Sequence, residues 1–105
     1  MAEKDMLGMR GTSREEIQSI LETAKAMKQV VTSNNKRTPH LQGKSIITLF
    51  YENSTRTRMS FELACKYMGA AAANVSASAS SVAKGETLID TGVTLDMMGV
   101  DIIII

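Results

Sequence analysis

The sequence predicts an α/β fold, an N-terminal helix followed by β-α-β-α-β with a parallel sheet, and three observations carry that expectation. The apolar pattern changes from helical spacing in the first third to near-continuous runs later. Two of those runs, "SIITLF" (45–50) and "VDIIII" (100–105), suit strands buried on both faces, as parallel strands are. The helical stretches between the strands end on glycines, Gly69 and Gly99, which close a helix without the steric penalty other residues carry.

Ser13 and Glu16 form a capping box, and Ile17, Ile20, Leu21, Ala24, Met27, Val30 and Val31 follow on one face of an amphipathic helix. The helix dissolves into "TSNNKRTPH", a polar linker of turn formers and helix breakers. A strand over 45–50 comes next, then a helix over 55–68 closed by Gly69, then a weaker strand in "AAANVSA". The small-residue stretch "SASASSVAKGE" cannot pack a core and is a loop or a linker. A third helix over 86–98, closed by Gly99, leads into "VDIIII", which reads as a third buried strand. Strands alternating with helices imply a parallel sheet whose ligands bind at the carboxyl ends of the strands.

At 105 residues the chain has the size of one domain. Twelve basic and eleven acidic residues leave a formal charge of +1, so no global field draws it to nucleic acid or to an anionic membrane, and any anion binding is local. The opening "MAEKDMLGMRGTS" has no apolar leader pattern, and the terminal "IIII" is far short of the roughly 20 residues that span a bilayer. A soluble, cytoplasmic protein is expected. Cys65, the only cysteine, sits in a helical pattern and reads as a small core residue. His40, the only histidine, reads as a solvated loop residue beside the only proline, so no metal site is expected. The glycosylation patterns at Asn53 and Asn74 mean nothing without secretion.

The chemistry concentrates in "FYENSTRTRMSFELA" (50–64), where a strand hands over to a helix. With Ser54 as the N-cap, the backbone N–H groups of Thr55, Arg56 and Thr57 are first-turn donors without a partner inside the helix. The helix dipole adds partial positive charge there, three hydroxyls add donors, and Arg56 can grip two oxygens of one phosphate. The alternative is an ordinary capped helix with solvated arginines. A helix built for stability alone favours acidic residues in its first turn, and this one has two arginines. Arg58, one turn along, fits a structural ion pair better than a ligand contact. The stretch "GKS" (43–45) fails as a P-loop because Thr38 stands where the first glycine is needed and because the motif precedes its strand. No strand is followed by G-x-G-x-x-G, so a dinucleotide site has no support. In the second loop Ser80, Ser81 and Lys84 offer two hydroxyls and an ammonium ahead of Gly85, either as a functional loop or as a soluble linker.

"FYENSTRTRMSFELA" resembles the S-T-R-T-R carbamoyl-phosphate signature of the transcarbamylases, and "SSVAKGETLIDT" resembles the mobile lysine loop of their aspartate-specific branch. The similarity runs along the whole chain. It implies transfer of a carbamoyl group from carbamoyl phosphate to L-aspartate, a step of pyrimidine biosynthesis, without a cofactor. It implies that Ser54, Thr55, Arg56 and Thr57 hold the phosphate, that Thr57 also meets the carbamoyl oxygen, and that Arg56 stabilises charge on the departing phosphate. Lys84, with Ser80, would reach a neighbouring subunit's site, making the catalytic unit a homotrimer with shared active sites; whether regulatory chains attach stays open. Glu52 would pair across domains and Glu86 would orient Arg56 or Lys84, unless both are surface carboxylates. Ornithine as second substrate, and a non-catalytic anion-binding or assembly role, are the competing readings.

The resemblance also implies departures. The family is much longer, so residues 1–105 are expected to be part of a carbamoyl-phosphate-binding domain, with the second, aspartate-binding domain absent from this chain. The family's arginine for the carbamoyl oxygen, a later histidine and the aspartate-binding arginines have no counterparts here, and His40 does not take that histidine's place. An apolar strand at a free end invites aggregation, so the chain looks cut.

Overall fold

A computed structural model describes residues 5–50, 55–76 and 88–105. The elements are helix α1 (Arg14–Val31), strand β1 (Ser45–Phe50), helix α2 (Thr55–Tyr67), strand β2 (Ala71–Ser76), helix α3 (Leu88–Met97) and strand β3 (Ile102–Ile104). This is the order the sequence predicts. Helices α2 and α3 each stop one residue earlier than expected, because the glycine motifs that close them draw the last residue into the turn.

The chain divides into two compact units, Met1–Lys36 and Arg37–Ile105, and the boundary falls inside the polar linker. In the first unit Ser13 caps α1, its Oγ accepting from the Glu16 N–H at 3.1 Å, and acidic Glu15 and Glu16 meet the positive end of the helix dipole. The amphipathic pattern is present, yet α1 has no buried residue.

The second unit holds the sheet. Its order is β2-β1-β3, with β1 in the middle and both pairings parallel. Ser45–Phe50 pairs residue for residue with Ala71–Ser76, while Ile46, Ile47 and Thr48 pair with Ile102, Ile103 and Ile104. A central strand is covered on both faces, and apolar Ile46 and Leu49 are buried along with the polar Thr48. Alternation puts Ile46, Thr48 and Phe50 on one face, where Ile46, Cys65 and Ala70 form a core cluster joined by Leu41, Ala72 and Ile104. Cys65 is thus the core residue the sequence suggests.

One expectation needs correction. Strand β3 is only partly buried: Ile102 is 40 % exposed and Ile103 and Ile104 are half-buried, because among the described residues β3 is an edge of the sheet with one neighbour.

Gly69 closes α2 with φ near +85°; its N–H donates to Lys66 O, and the Ala70 N–H reaches back to Cys65 O at 2.9 Å. Gly99 closes α3 in the same way, with Val100 N–H donating to Leu95 O. The carbonyls at the end of α2 gain partners from residues 38–41, which precede β1: Thr38 N–H donates to Tyr67 O at 2.7 Å and Leu41 N–H to Met68 O at 2.8 Å. These bonds anchor the segment that leads into β1.

Candidate phosphate-binding helix start

Helix α2 opens on Thr55, Arg56 and Thr57, all exposed, five residues on from Phe50 at the carboxyl end of β1. Its first turn contains no acidic residue, while Lys66 sits in its last turn, where a cation suits the dipole. The first-turn N–H groups therefore lie in positive potential with no carboxylate of their own helix turn to complement it. Ser60 Oγ donates to Thr57 O at 2.8 Å, which occupies the Ser60 hydroxyl within the helix.

Arg58 behaves as the sequence suggests: its Nε lies 3.9 Å from Glu62 Oε1, one turn along, in an ion pair too long to be a hydrogen bond. Among the described residues, Arg58 Nε is buried without a hydrogen-bond partner. Arg56 and Thr57 start the helix on the exposed side of the turn, and the aromatic contact between Phe50 and Phe61 fixes α2 to the end of β1.

Ser54, Ser80 and Lys84, with Glu52 and Glu86, lie outside the described residues. His40 is exposed in the linker, with its Nδ1 2.9 Å from Thr38 Oγ1. The "GKS" segment starts β1, at the opposite end of the strand from α2, so it cannot serve the same site as Arg56. There Ser45 N–H donates to Asp101 Oδ2 at 2.9 Å, Ser45 Oγ donates to Gly99 O at 2.9 Å, and Asp101 N–H returns a bond to Ser45 O. The Ser45 backbone N–H holds the Asp101 carboxyl below the usual aspartate range. Burial pushes the Cys65 thiol up, and the nearby Glu62 charge adds to it, so this cysteine is not primed as a nucleophile.

Sequence reasoning missed a polar pair within the sheet, a buried threonine bonded to a half-buried asparagine. Thr48 is fully buried, and its hydroxyl donates to Asn74 Oδ1 at 2.8 Å. The signal was present, since asparagine is disfavoured inside strands and Asn74 follows four alanines.

Parallel strands joined by helices, with the start of α2 laid at their carboxyl edge, place the chain in the α/β class of domains that take ligands at that edge. Its residues 4–105 match the model of one family, and the chain belongs to it: the aspartate/ornithine carbamoyltransferases, carbamoyl-P binding domain. It is 77 % identical over 101 residues to the aspartate carbamoyltransferase catalytic subunit of Ruminiclostridium cellulolyticum, covering 96 % of this chain and 32 % of that one. Among solved structures it is similar to the catalytic subunit of M. jannaschii aspartate transcarbamoylase, with 40 % identity, a TM-score of 0.80, and 96 % of this chain and 33 % of that one covered. It is also similar to aspartate transcarbamoylase from Trypanosoma cruzi in complex with carbamoyl phosphate and aspartate, at 35 % identity and a TM-score of 0.81, over 95 % of this chain and 30 % of that one. The chain spans about a third of the length of the curated relatives it matches.

Proposed function

We propose that this chain supplies the phosphate-holding half of an aspartate carbamoyltransferase site. The observation that carries this reading is the exposed Thr55-Arg56-Thr57 turn at the carboxyl end of β1, basic and hydroxyl-bearing where a helix built only for stability would be acidic. Carbamoyl phosphate sets its phosphate against the first-turn N–H groups with Ser54, Thr55, Arg56 and Thr57 around it. The amine of L-aspartate attacks the carbamoyl carbon, the bond to the phosphate oxygen breaks, phosphate leaves with the electron pair, and the amine loses a proton. Arg56 is the catalytic residue for the leaving phosphate, through a charge-assisted fork, and Thr57 assists at the carbamoyl oxygen. The names of the close relatives support aspartate as the acceptor and pyrimidine biosynthesis as the setting.

Lys84 and Ser80 act from a neighbouring subunit in this reading, within a cytoplasmic homotrimer; the support is the resemblance of "SSVAKGETLIDT" to the family's lysine loop. A second domain, outside residues 1–105, binds the amino acid. Attack on the carbamoyl carbon needs the amine held as well as the phosphate, so the 105-residue chain by itself binds phosphate weakly and does not turn over. The test offers carbamoyl phosphate with L-aspartate or L-ornithine to the full-length enzyme and to the 105-residue chain. Carbamoyl-aspartate from the full-length enzyme alone is expected. Citrulline in its place, or turnover by the short chain, overturns the reading.

A further inference from the structure

Strand β2 is nearly featureless where it meets β1. Its first three residues, Ala71, Ala72 and Ala73, follow a further alanine, Ala70, and carry too little side chain to distinguish one alignment with β1 from another. A slip of one residue turns every side chain to the wrong face, which burial forbids. A slip of two keeps the faces and still sets alanine against β1. It also shifts the carboxyl end of β2 by about 7 Å along β1, at a rise of about 3.3 Å per residue in parallel strands.

One pair marks the observed alignment. Thr48 stands directly opposite Asn74 in the β1–β2 ladder and opposite Ile104 in the β1–β3 ladder. Its hydroxyl has one proton and two acceptors within range, Asn74 Oδ1 at 2.8 Å and Ala73 O at 3.5 Å, and the shorter bond takes it. Thr48 is fully buried, so a slipped strand would leave that hydroxyl without this partner and would set Asn74 against an apolar neighbour. Two apolar residues would fill the row at least as well for stability, so the polar pair contributes alignment. Phe50, two residues after Thr48 on the same face, ends β1 and contacts Phe61 of α2, the helix that begins with Thr55-Arg56-Thr57.

We propose that Thr48 and Asn74 are positioning residues that lock the register of β1 and β2, and so hold the carboxyl edge of the sheet in the alignment the phosphate-binding turn requires. This rests on the functional reading above.

The test uses the full-length enzyme and its variants Thr48→Val, which keeps shape and removes the hydroxyl, and Thr48→Ser, which keeps the hydroxyl. The readouts are KM for carbamoyl phosphate, kcat, and affinity for inorganic phosphate by calorimetry. Thr48→Val is expected to raise KM for carbamoyl phosphate, and to weaken phosphate, by about fivefold, the size of one lost buried hydrogen bond. Its KM for aspartate stays near the parent value, and Thr48→Ser stays within about twofold of the parent. Should Thr48→Val not fold, Asn74→Ala, which adds no bulk, is read in the same way. Parent-like phosphate affinity in the valine variant, or equal losses in the valine and serine variants, overturns the register lock alone. A parent enzyme that binds no phosphate overturns the functional reading, and the lock's role with it.

Discussion

Phe50, the last residue of β1, and Phe61, in the second turn of α2, face each other with ring centroids 6.1 Å apart and planes tilted by 47°. That separation lies within the favoured range for aromatic pairs. The contact joins the end of β1 to α2, and so sets where the first residues of α2 stand relative to the sheet edge.

Phe61 is 40 % exposed, so Phe61→Ala should cost about 1–2 kcal/mol, less than the roughly 3–5 kcal/mol of a fully buried phenylalanine. Leu63, similarly exposed but without an aromatic partner among the described residues, is the control and should cost clearly less when cut to alanine. Urea denaturation of both variants measures the difference; equal costs would show that the ring contact contributes nothing.

Gly69 holds φ near +85°, and a Cβ there would lie 3.4 Å from Thr38 O and 3.5 Å from Gln42 Cα, both backbone atoms. Gly69→Ala should destabilise by about 1–2 kcal/mol from the left-handed backbone alone. The same change at Gly8, where φ is ordinary and no atom lies within 4 Å, should be nearly neutral. Paired thermal melts check this.

Asp101 ties the start of β1 to the approach of β3 through Ser45. Its carboxyl is held below the ordinary 3.8, so the carboxylate form is the one the fold favours. That stability is present above the ordinary value and is lost as the pH falls through the lower, folded value. Denaturation midpoints measured down the acid limb should fall less steeply in Asp101→Asn than in the parent. Parallel acid limbs would show that the Ser45 bonds do not favour the charged form.

What could be read in advance was local. The Ser13 cap, the glycine closures at Gly69 and Gly99 and the helix start at Thr55 each depend on a few neighbouring residues, and the structure repeats them. Burial of β3 depended on how many neighbours the strand has, which a run of isoleucines does not encode. The Thr48–Asn74 bond joins residues 26 apart and the Ser45–Asp101 bond residues 56 apart, distances over which no spacing rule operates. Arg56 and Thr57 stand out in the sequence as candidates because a first turn with arginine and no acidic residue departs from ordinary capping chemistry.

The central claim is that the start of α2 grips a phosphate through Arg56. Calorimetric titration of carbamoyl phosphate into the full-length enzyme and its Arg56→Ala variant tests it most directly. Arg56 is exposed, so the variant should fold as the parent does, while its affinity falls at least about tenfold with the loss of a charge-assisted fork. An Arg56→Ala enzyme that binds carbamoyl phosphate as tightly as the parent would contradict the account.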